Sequence, residues 1–116
     1  MSPYAYVGCK NFSFQPKSLT QEMKEDLTLN IIDRVSSFYK LNTSDILGSE
    51  RKYSFMKPRH IAIYLSLKQT GITLTALAKI FNRHHTTIIH SREYIQEQLK
   101  FNEEIKEDIK ILKYIL

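Results

Sequence analysis

The stretch TLTALAKIFNRHHTTIIHSREYI, Thr73 to Ile95, decides how the chain is read. It divides at Asn82–Arg83 into two segments of helical apolar spacing. Thr73 suits the N-cap of the first, LTALAKIF, which predicts a helix of about two turns. The second is expected to begin at His84 or His85 and continue to about Leu99. Leu77, Ala78 and Phe81 would pack the first helix, with small Ala78 letting the second approach closely. Ile88, Ile89 and Tyr94 or Ile95 would anchor the second inward. Asn82 stands where many such turns carry Gly, and Asn accepts the left-handed conformation. The pattern is that of a helix-turn-helix, with His84, His85, Thr86 and Thr87 at the exposed start of its second helix.

Those residue types suit contact with a duplex. Threonine offers a methyl for thymine and a hydroxyl for phosphate, and histidine can donate to base acceptors or phosphate. A metal site fits poorly, because ligands sharing one helix face need a spacing of about four residues. His85 and His90 are five apart, roughly 140° round a helix, and no Cys, Asp or Glu lies between them. Hydroxyl nucleophile chemistry needs a base and an orienting acid, and there is no carboxylate between Arg51 and Arg92. A glycine-rich phosphate loop is also lacking. No catalytic residue, metal or cofactor is expected.

The charge pattern agrees. Arg51, Lys52, Lys57, Arg59, Lys68, Lys79, Arg83 and Arg92 fall in a run of 42 residues without one Asp or Glu. The remainder of the chain holds nine basic and all twelve acidic groups, so a net charge of +5 conceals a strongly positive third and a mildly negative remainder. That asymmetry suits a polyanion binder, the alternative being a solvated basic surface. SERKYSFMKPRHIAIYL adds a second basic element, with Arg51 and Lys52 in a loop and Lys57, Arg59 and His60 around a helix start. A mobile arginine such as Arg51 can enter a narrow minor groove.

The rest of the chain predicts more helices. A first should start near Ser18 or Thr20 and end near Tyr39, with Ile31, Val35, Phe38 and Tyr39 on its core face. A short second is capped by Asn42 or Thr43 and stopped by Gly48. ERKYSFMK reads as a polar, basic loop, and Pro58 suits the first turn of a third helix ending near Gly71. The last, capped by Asn102, repeats apolar residues at Ile105, Ile109, Leu112 and Ile115 or Leu116. The expected fold is all-α, a small bundle of about six helices containing the helix-turn-helix. Residues 1–17, with two prolines and scattered aromatics, form an irregular N-terminal arm, and residues 18–116 form the domain. A chain of 116 residues suits one core. Lone Cys9 excludes a disulfide framework, and no apolar run approaches the roughly 20 residues of a membrane span. With no signal-peptide pattern in MSPYAYVGCK, the cytoplasm is the expected compartment.

These residues resemble the C-terminal DNA-binding domain of DnaA, the bacterial chromosomal replication initiator. Its signature has a Phe and a Gly-rich turn, then Arg–Asp–His–Thr–Thr, two aliphatics and a His. Phe81, Arg83, His85, Thr86, Thr87, Ile88, Ile89 and His90 match in order. The family's basic loop and Pro–Arg pair reappear as Arg51, Lys52, Pro58 and Arg59, followed by Ile61, Ala62 and Tyr64. VSSFYKLNTSDILGSER resembles the family's opening helix and turn, so the likeness covers about residues 28 to 110. It implies that His85, Thr86 and Thr87 enter the major groove of a DnaA box and that Arg51 reads the adjacent A/T-rich minor groove. Arg59, His60 and His90 fall where the family contacts phosphates, His60 replacing the usual Gln. His84 replaces an Asp that helps read a base, so an acceptor-only group becomes one that can donate. The turn is one residue shorter, with Asn82 in place of a Gly pair.

The expected function is sequence-specific binding of double-stranded DNA at a DnaA-box-like site, by a monomer, in replication initiation or its regulation. Without an ATPase module in its 116 residues the chain reads as a stand-alone regulator of phage or mobile-element type, an initiator fragment being the alternative. A different class of function would make it an interaction module that holds a replication or transcription protein through the arm or the last helix. No membrane partner is expected.

Overall fold

A computed structural model describes residues 19–116, so the expected arm at residues 1–17 lies outside the described residues. The described chain is all-helical: α1 (Gln21–Phe38), α2 (Thr43–Leu47), α3 (Tyr53–Thr70), α4 (Leu74–Phe81), α5 (His85–Gln98) and α6 (Glu103–Ile115). Each boundary has a local cause. Thr20, Thr73 and Asn102 accept from the backbone N–H three residues on, at 3.2, 3.1 and 3.2 Å. The Asp45 carboxylate accepts from the Asn42 N–H at 3.1 Å at the start of α2. Gly71 ends α3 at φ 73°, a left-handed conformation that costs glycine little.

The third helix is the centre of the bundle. Its residues from Ile61 to Ser66 are buried without a break, whereas a helix covered on one side buries only a stripe. Helices α1, α2, α4 and α5 all pack against it, and α6 closes the bundle against α1 and α5. Ile105, Ile109 and Leu112, the apolar face of α6, are buried in this core, whereas Ile115 and Leu116, where the repeat was expected to continue, are exposed. That face is therefore already covered by the chain itself.

One element differs from its sequence expectation. Tyr53–Lys57 is not loop but the first five residues of α3, and Pro58 lies inside the helix rather than in its first turn. Lys52 is the N-cap, and its carbonyl accepts from the Phe55 and Met56 N–H groups, both at 2.9 Å. Pro58 removes only the bond that would have reached the Ser54 carbonyl. Ser54 is exposed, so water can take that carbonyl and the proline is tolerated. The basic loop shortens to the few residues between Gly48 and Lys52.

Candidate nucleic-acid interface

The corner between α4 and α5 is built by the backbone. Asn82 adopts φ 51° and ψ 50°, and its N–H donates to the Lys79 carbonyl at 3.2 Å. The Arg83 N–H reaches back to the Ala78 carbonyl at 2.9 Å. These two bonds form a Schellman motif, which ends α4 and turns the chain within three residues. Asn82 supplies the left-handed residue that the turn requires.

The inward stripe of α5 then fixes its rotation. Ile88, Ser91 and Ile95 are buried, at a spacing that places them on one face. Burial of a side chain such as Ile88 or Ile95 contributes about 1.5–3 kcal/mol, enough to hold one orientation. Ile89 is half-buried and Tyr94 is 38% exposed, so Ile95 rather than Tyr94 is the second anchor. His84, His85, Thr86, Thr87 and His90 are all exposed. His90 stands one turn on from both Thr86 and Thr87, at i+4 and i+3. The His84 and His85 rings stack at 4.5 Å and 27°. An open hollow beside them is lined by Thr75, Lys79, Asn82 and Arg83 together with the two histidines. Lys79 was not among the site residues expected from sequence, although it belongs to the acid-free run.

The other basic residues divide into two groups. Arg51 and Lys52 are exposed on the loop before α3. Lys57 and Arg59, only a few residues on, turn inward. Arg59 is 5% exposed and donates to the carbonyls of Ile46, Asp45 and Glu50 at 2.7, 3.0 and 3.0 Å. Arg83 donates from Nη2 to the Gly48 carbonyl. The two guanidiniums thus satisfy carbonyls at the C-terminal end of α2, which carries no basic residue in its own last turn. Burial, and secondarily the neighbouring Arg83, lower the Arg59 pKa.

Lys57 bonds the carboxylates of Glu104 at 2.7 Å and Asp108 at 3.2 Å, and Asp108 also accepts from the Tyr39 hydroxyl at 2.7 Å. Desolvation works to lower Lys57, but the two carboxylates outweigh it and raise its pKa. Burial and the Asp108 carboxylate raise the Tyr39 hydroxyl. This network ties α1, α3 and α6 together. Among the described residues Lys57 is the one cation of the Arg51–Arg92 run that pairs with a carboxylate, and it pairs with two.

His60 lies between the two groups. It is half-buried, its Nδ1 is 2.8 Å from the Ser91 hydroxyl, and its ring packs on Tyr94 at 5.0 Å. Burial, then Arg59 and Arg83, lower its pKa below the ordinary value. A neutral His60 therefore links α3 to the buried face of α5. Ser91 and Tyr94, its partners, had no signal in the sequence beyond their place on α5. Among the described residues no group of three or more His, Cys, Asp or Glu side chains is placed to hold a metal ion, and no helix is long and apolar enough to cross a membrane.

Fold and corner together define a helix-turn-helix domain whose second helix presents histidine and threonine in a basic setting. Residues 29–95 match the family described as the bacterial dnaA protein helix-turn-helix. The chain belongs to that family. It is 36% identical over 100 residues to the chromosomal replication initiator protein DnaA of Levilactobacillus brevis, covering 84% of this chain and 22% of that protein. Identity is 32% over 99 residues with the Lactococcus lactis subsp. cremoris protein of the same name, with the same two coverages. A solved structure, the crystal structure of a DNA replication initiation factor, superposes with a TM-score of 0.71 at 29% identity, over 78% of this chain and 28% of that one. The chain thus spans about a fifth of the length of these curated relatives.

Proposed function

We propose that the chain binds double-stranded DNA with sequence selectivity, in replication initiation or its regulation. One protomer places the start of α5 in a major groove and the Arg51–Lys52 loop in an adjacent minor groove. The observation that carries this reading is the exposed row His84, His85, Thr86 and Thr87 at a helix start, aimed by a buried stripe and flanked by the exposed Lys79. The relatives, initiators by name, support it. Direct contacts go to Arg51, Lys52, Lys79, His84, His85, Thr86, Thr87 and His90. Lys57, Arg59, His60 and Arg83, already bonded within the domain, support the two contacting elements. Phosphate neutralisation supplies most of the affinity, and each phosphate contact adds roughly 0.9 to the slope of log affinity against log salt.

Titration against a labelled duplex carrying a DnaA box and a scrambled duplex, at two salt concentrations, tests this. Tighter binding to the box at both salts is expected. His85→Ala and Thr86→Ala should each reduce box preference by about 1–3 kcal/mol while changing scrambled-duplex affinity little. Absence of binding to either duplex at low salt would contradict the proposal. Protein binding is left to a smaller surface: Ile111, Tyr114, Ile115 and Leu116 are exposed near the end of the chain.

A further inference from the structure

The N-cap of α5 is a histidine, and the way it caps fixes what its other edge can do. His84 Nδ1 accepts from the Thr86 N–H at 3.2 Å. A backbone N–H can only donate, so Nδ1 carries no proton, and in the neutral ring the proton sits on Nε2. The Thr86 hydroxyl lies 2.9 Å from the same Nδ1. With Nδ1 unprotonated, the hydroxyl can serve that contact only as a donor, sharing the Nδ1 lone pair with the backbone N–H. The His84 ring is exposed and held flat against His85 by the stacking described above. Its Nε2 makes no hydrogen bond among the described residues. Cap and stack together present a single outward donor at the first position of the exposed row.

We infer that His84 is a specificity-determining residue that selects a base by donating to it. The inference rests on the DNA-binding reading above. In the major groove guanine shows two neighbouring acceptors, N7 and O6, while the outward group of cytosine is an amine that only donates. The base under His84 is therefore one with an acceptor edge, guanine best of all, and cytosine is rejected because two donors would face each other without a partner.

Two substitutions separate this from a role in capping alone. Asn and Asp are both strong N-caps, so each keeps the bond to the Thr86 N–H. His84→Asn caps through its carbonyl oxygen and still turns an N–H donor outward. His84→Asp caps equally well but offers acceptors only. Bound duplexes are selected from a random pool with the full chain and with each variant, and base frequencies are compared position by position. The full chain and His84→Asn should select the same acceptor-bearing base at one position. His84→Asp should reverse that position toward cytosine or the amine edge of adenine, by roughly fivefold to tenfold, with other positions unchanged. A His84→Asp site identical to that of the full chain would overturn the inference while leaving DNA reading intact. Loss of the preference in both variants would overturn it as well. Selection of no site by the unsubstituted chain would overturn the DNA-binding reading, and this inference with it.

Discussion

Lys57 and Arg59 belong to the same acid-free run as Arg51, Lys52 and Lys79, yet the two sets live in opposite environments. The first pair is buried against two carboxylates and three carbonyls. The second set is exposed and has no carboxylate partner among the described residues. Cations of one set hold helices together, and those of the other remain available to a polyanion. A count of charge along the chain merges the two, because it registers neither carbonyls brought in by the fold nor acids far away in sequence. Glu104, which holds Lys57, stands 47 residues on from it.

The division can be broken by substitution. Arg59→Ala should have the largest effect, a loss of about 3 kcal/mol in urea unfolding, because buried carbonyls at the end of α2 lose their donors. A stable Arg59→Ala protein with weakened DNA binding would instead move Arg59 into the contacting set. Lys57→Met should lower stability by about 2 kcal/mol, since the partly buried Asp108 keeps its charge without its partner. The DNA affinity of the remaining folded protein should hardly change. Arg51→Ala sharpens the opposite side: stability should stay within about 0.5 kcal/mol, while box affinity falls by about 1 kcal/mol and the salt slope shrinks.

The smallest effect belongs to His60. Its pKa is lowered in the folded protein, so the unfolded chain takes up a proton first as pH falls below about 6.5. Stability should therefore decline from there downward until the lower folded value is reached. His60→Gln removes this titration and should flatten the dependence of melting temperature on pH between about 7 and 5. An unchanged pH profile would mean that His60 is not held neutral against Ser91.

Most of the bundle was legible in the sequence because helix signals are local. Thr20, Thr73 and Asn102 cap the helices assigned to them, Gly48 and Gly71 end theirs, and Ile31, Val35, Ile61, Ile88 and Ile105 form the core. The start of α3 was misread because Pro58 is a strong local stop, and its cost fell once the orphaned Ser54 carbonyl lay at an exposed helix end. The exposure of His84, His85, Thr86 and Thr87 at the start of α5 was legible because these residues are adjacent along the chain. What was not legible was the occupation of side chains by partners from elsewhere: Arg59 and Arg83 on the carbonyls of α2, and His60 on Ser91. The tautomer fixed by the His84 cap needed the bond to Thr86 to be seen.

Backbone amide shifts followed while the chain is titrated with a box-containing duplex would test the docking most directly. Binding through α5 requires the largest changes at residues 84–90 and 49–52, with little change along α6. Changes concentrated on α6 and residues 111–116, with 84–90 unmoved, would contradict it and assign the partner to the exposed apolar residues at the end of α6.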